Sequence, residues 1–204
     1  MKLMRVVCQW VAVFALSFLM SSTAYCCVGR ILTVAIDQSM DQKVVATVMA
    51  IFINERTGTT VDLIPCKDLK ECQTMVKNGD ADIFIDYIGP ASMGIEGIDK
   101  NATPQEIFSI VKHYFIREYS MVWLRPFGYH GPVYDKNDLD PEKGSLAAPV
   151  TTRRVLDQFP VLDRVINKLS GKLDDATLKK LIRDSNEGKD ETVIKKFLKV
   201  RNLI

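Results

Sequence analysis

Two rhythms of apolar and polar positions run through the chain. Ile31 to Ile36 is a short apolar run with β-branched members that ends at the polar cluster Asp37-Gln38-Ser39, and it predicts a buried strand. From Asp41 to about Glu55, Val44, Val45, Val48, Met49, Phe52 and Ile53 recur at helical spacing, with Gly58 as a stop signal. Val61 to Ile64 predicts a second strand. Lys67 to Asn78 predicts a second helix, with Leu69, Cys72, Met75 and Val76 facing inward and Asn78-Gly79 closing it. Ala81 to Ile85 predicts a third strand, and its unbroken apolar character suits a sheet covered on both faces.

Strand, helix, strand, helix and strand in sequence point to parallel βαβ units with right-handed crossovers. In such sheets ligands collect beyond the carboxyl ends of the strands. Here those ends are Asp37-Gln38-Ser39 after the first strand and Asp86-Tyr87 after the third, so the two loops form the expected pocket. Gly89 to Thr103 reads as a loop. Thr103-Pro104-Gln105-Glu106 reads as an N-cap and first turn, opening a helix to about Arg117. Ser120 to Leu124 and Leu146 to Val150 predict further short strands on either side of irregular chain. Helices are expected over about 152–169 with a break at Pro160, then 174–184 and 190–200.

The N-terminal segment differs in kind. Lys2 and Arg5 precede an uncharged run from Val6 to Met20, and Ser22-Thr23-Ala24 offers small residues for cleavage. The run is shorter than the roughly 20 residues of a bilayer span, so residues 1–24 read as a cleavable signal peptide for export to the periplasm. A membrane anchor left uncleaved is the alternative. Cleavage removes two of the 27 basic residues, leaving parity with the 25 acidic ones, and nothing then steers the chain to nucleic acid. Cys26, Cys27, Cys66 and Cys72 remain after cleavage. In an oxidising compartment they suggest disulfides, and Cys66 with Cys72 is the preferred pair because it ties a strand end to the next helix. No phosphate loop, nucleophile elbow or zinc spacing is present, so no cofactor and no enzymatic activity are expected.

Three stretches resemble the quaternary-amine solute-binding proteins of ABC importers. Asn78 through Pro90 resembles that family's "sGeiDiyieYtGt" motif. Ile36 through Gln42 aligns on its "SKNFTEQ" loop, sharing the acid and the glutamine. Tyr119 through Pro126 is similar to its "ygitWLeP" strand. The C-terminal run from Pro160 to Leu198 looks like the family's closing helices. The resemblance implies an α/β lobe of the periplasmic-binding-protein type II kind, with a parallel-rich central sheet flanked by helices and a helical C-terminus. It also implies a small quaternary-ammonium or zwitterionic ligand, such as glycine betaine or choline, and an ABC permease as partner. One departure stands out. The family builds a second lobe after the "WLeP" strand, whereas here that lobe is reduced to about residues 126–146 of a domain spanning 25–204. A single-lobe, non-catalytic interaction or sensor module docking to another protein is therefore the alternative function.

A quaternary ammonium has no hydrogen to donate, so it is recognised by aromatic faces, each worth about 0.5–2 kcal/mol. Tyr87 matches the tyrosine of the family motif, and Trp123, the one tryptophan outside the signal segment, is read as a core or hinge residue ahead of a wall of such an aromatic box. Asp37, Gln38, Ser39 and Asp86 supply polar groups, Ser39 at a helix N-terminus where free N–H groups bind carboxylates. Tyr114, Phe115, Tyr119, Phe127, Tyr129 and Tyr134 are read mostly as sealing surface left by the missing lobe.

Overall fold

A computed structural model of the chain describes residues 31–99, 101–131, 146–185 and 191–204. Residues 1–24, expected as a signal peptide, Cys26, Cys27, Tyr134 and most of the 126–146 connection lie outside the described residues. Strand β1 (Leu32–Ile36) leads into helix α1 (Met40–Thr57), then come β2 (Val61–Pro65), α2 (Leu69–Asn78) and β3 (Ile83–Tyr87). Helix α3 (Ile88–Ser92) and helix α4 (Pro104–Tyr119) precede β4 (Met121–Trp123) and β5 (Ala147–Thr152). The chain then continues through α5 (Arg153–Gln158), α6 (Leu162–Ile166), a 3-10 turn at Asn167–Leu169, α7 (Asp175–Asp184) and α8 (Glu191–Val200).

The signals read in the sequence set these boundaries. Gly58 and Gly79 both adopt the left-handed conformation, and each amide closes its helix, on Asn54 and on Met75 and Val76. Thr103 and Glu106 form a reciprocal capping box ahead of Pro104. The stretch expected as loop after β3 instead opens with the short helix α3. Pro90 sits in its first turn, where a fixed φ and a missing N–H cost nothing, and the Ser92 hydroxyl donates to the Gly89 carbonyl.

The five strands lie in the order β2-β1-β3-β5-β4. β1 pairs in parallel with both β2 and β3, whereas β5 runs antiparallel between β3 and β4. This is the expected parallel-rich sheet of a type II lobe, with the returning strand inserted against the grain. All five residues of β3 are buried, as a central strand covered on both faces requires. Alternation splits its side chains: Ile83, Ile85 and Tyr87 join a core with α1 and the C-terminal helices, while Phe84 joins a second core with α2 and α4.

Cys66 and Cys72 form a disulfide, their α-carbons 5.5 Å apart, that ties the end of β2 to the first turns of α2. Closing so short a loop stabilises by about 2 kcal/mol. Reduction with dithiothreitol is expected to lower the urea midpoint accordingly, and the Cys66→Ala/Cys72→Ala double variant to show no further response to reductant. An equal response in wild type and double variant would show that the bridge contributes nothing.

Candidate solute-binding site

The end of β1, the first turn of α1 and the end of β3 meet at the carboxyl edge of the parallel strands. The Asp37 carboxylate accepts from the Ser39 amide at 2.8 Å and from the Ser39 hydroxyl, folding residues 37–39 into a tight turn. Fully buried Gln42 spans the junction: its carbonyl oxygen accepts from the Asp37 amide at 3.1 Å and its Nε2 donates to the Ile85 carbonyl at 3.3 Å. The Tyr87 hydroxyl donates to Asp41 Oδ2 at 2.7 Å. Burial, together with the nearby Tyr129 and Asp41, pushes the Tyr87 hydroxyl well above the usual phenol range and keeps it a donor.

Asp37, Ser39 and Tyr87 therefore gather at one end of the sheet, while Gln38 is exposed beside them. Asp41 and Gln42 were missing from the expected site, although they are the two positions at which the 36–42 loop agrees with the family pattern. That agreement was the available signal. Asp41 also stands in the first turn of a helix, where capping and the helix dipole account for an acid without any ligand.

Two other expected residues do not join this group. Asp86 and Tyr87 are the last two residues of β3 rather than a loop beyond it, so their side chains leave the sheet on opposite faces. Asp86 is turned toward α2 and α4. Burial raises its carboxyl from 3.8 to about 7, partly offset by a 2.8 Å hydrogen bond from the Tyr87 amide. Trp123 is fully buried on that same far face, edge-on to Phe108 and Phe115 at 6.4 and 5.3 Å. It packs in the second core and shares no wall with Tyr87.

The Tyr87 ring is itself only 1% exposed. Tyr129 meets it edge-on at 6.4 Å, Phe127 stacks on Tyr129 at 6.2 Å, and a Cβ added at Gly131 would collide with the Tyr87 ring. Backbone hydrogen bonds hold this covering segment down, from Phe127 to Ala147, from Ala147 to Tyr129 and from Leu173 to Phe127. The 127–131 segment thus lies across the Tyr87 ring. Two carboxylates beside a tyrosine ring suit a cation, once that ring is uncovered.

Residues 113–200 match the family model for the substrate-binding domain of ABC-type glycine betaine transport systems. The resemblance read in the sequence holds. Among solved structures, a glycine betaine/carnitine/choline ABC transporter aligns with a TM-score of 0.72 at 14% identity, over 84% of this chain and 99% of that one. Apo YehZ from Escherichia coli aligns with a TM-score of 0.68 at 14% identity, over 85% and 99%. An ABC-transporter choline-binding protein in complex with choline aligns with a TM-score of 0.50 at 11% identity, over 84% and 89%. At such identities these likenesses establish the fold. No curated protein matches the chain in sequence.

Proposed function

We propose that this chain is the solute-binding component of an ABC importer, taking glycine betaine, choline or a related quaternary amine in the periplasm for a membrane permease. The observation that carries the reading is the convergence of Asp37, Asp41 and Tyr87 at the carboxyl end of the parallel strands. There an aromatic ring and two carboxylates stand together in a lobe whose C-terminal part matches the glycine betaine substrate-binding domain. Export is supported by the charged-then-apolar N-terminal pattern and by the Cys66–Cys72 disulfide, which suits an oxidising compartment. Among the described residues no helix is long and apolar enough to cross a membrane.

The covered Tyr87 ring favours one second reading, a single-lobe module that docks to another protein and binds no solute. Calorimetric titration of the purified protein with glycine betaine, choline, carnitine and proline separates the two. Solute capture requires saturable binding with a raised melting temperature, strengthened in a Gly131→Ala variant, whose added methyl pushes the covering segment off the ring. A flat response to all four compounds in both proteins removes the solute-binding reading and leaves the docking module.

A further inference from the structure

On the face of the sheet away from Tyr87, α2 and α4 leave a cavity of about 370 Å³ between them, with Asp86 among its lining residues. That volume falls in the range of small-molecule sites. Asp86 is 7% exposed. One oxygen accepts from the Tyr87 amide, and the carboxyl receives no other hydrogen bond and no ion pair from any described residue. A buried carboxylate with one amide donor and no cation among the described residues is costly, and native structures rarely keep one without a use for it. Along one wall Tyr114, Phe115 and Tyr119 of α4 form an aromatic cluster, with ring centroids 5.3 to 6.1 Å apart. Along the other, α2 contributes Lys70 and Gln73.

We propose that this cavity is a second ligand site, taking a small zwitterion whose N–H-bearing ammonium group meets Asp86 and whose carboxylate meets Lys70 and Gln73. The chemistry selects a primary ammonium. Among the described residues the second Asp86 oxygen receives no hydrogen-bond donor, which a quaternary amine does not have and a primary one supplies in a charge-assisted bond. The aromatic rings of α4 flank the same positive charge. This site is independent of the strand-end group, lies on the opposite face of the sheet, and stands whether or not quaternary amines bind there.

The ionisable groups around Asp86 are Lys70 from α2, Tyr114 and Tyr119 from α4, and Asp82, four residues back and just ahead of β3, while α3 contributes none. Asp82 is occupied by the Thr33 amide and hydroxyl, at 2.9 and 3.0 Å. Because the Asp86 carboxyl titrates at about 7, the ligand must displace a proton in acid. Affinity should therefore fall about tenfold per pH unit below 7 and level off above it.

The test is calorimetric titration of the full protein with glycine, β-alanine, γ-aminobutyrate and 5-aminovalerate between pH 5.5 and 8.5. Saturable binding of at least one of the four with that pH profile is expected. Asp86→Asn should weaken it more than tenfold and flatten the profile, and Gln73→Phe, which fills the cavity and leaves Asp86 in place, should abolish it. Tyr87→Phe should leave it unchanged. No binding by any of the four at millimolar concentration overturns the proposal, as does binding that survives both Asp86→Asn and Gln73→Phe.

Discussion

Replacing Tyr87 by alanine is expected to destabilise the protein by about 3–5 kcal/mol, as large-to-small changes at fully buried aromatic positions do. The side chain is enclosed between Asp41 below its hydroxyl, Tyr129 at its edge and Gly131 against its ring. Its removal opens a cavity at the point where β3, α1 and the 127–131 segment meet. Tyr87→Phe separates the ring from the hydroxyl. It keeps the packing and deletes one hydrogen bond to a carboxylate, costing roughly 1.5–3 kcal/mol. Urea denaturation of the three proteins measures both steps, and a loss under 1 kcal/mol for the alanine variant would show that the ring is not packed as described. Ligand titration adds a second axis. If a quaternary amine rests on the ring face, the phenylalanine variant retains binding despite its weaker fold and the alanine variant does not.

The order of elements was legible because each boundary carried a local signal with one cause. Gly58 and Gly79 end helices by taking a conformation that other residues resist, and the Thr103/Glu106 box opens one. The parallel sheet followed from alternating short apolar runs and amphipathic stretches. The short helix at Ile88–Ser92 carries no local signature, because Gly and Pro are as much at home in a first helical turn as in a loop. The site was half legible for a different reason. Asp37, Ser39 and Tyr87 are close because two strand ends are close, which topology alone supplies. Whether Asp86 joins them depends on whether β3 ends one residue earlier or later, and a strand extended by two residues sends adjacent side chains to opposite faces. The covering of Tyr87 by Phe127, Tyr129 and Gly131 depends on long-range hydrogen bonds to Ala147 and Leu173, and no local pattern announces it.

Asp86→Asn should change how stability depends on pH. The folded carboxyl titrates at about 7, held up by burial and only partly offset by the Tyr87 amide, and an unfolded aspartate titrates near 3.9. The native state therefore binds this proton more tightly than the unfolded state does. Below about pH 4 both states are protonated and Asp86 imposes no penalty. Between about pH 4 and 7 the unfolded chain ionises freely while the folded one resists, so this contribution to stability is lost as pH rises. Above 7 the loss is complete, and at about 1.4 kcal/mol per pKa unit it amounts to roughly 4 kcal/mol as an upper bound. Asparagine keeps the shape and cannot ionise. Chemical denaturation across pH 4–8.5 should give curves that coincide at the acid end and separate toward alkaline pH, with the variant the more stable. Other titrating groups cancel in that difference. Parallel curves would mean that the carboxyl reaches solvent freely through the cavity. A gap at pH 8 that closes when γ-aminobutyrate is added to the wild type, and persists when it is added to the variant, would link the destabilised carboxylate to the ligand that compensates it.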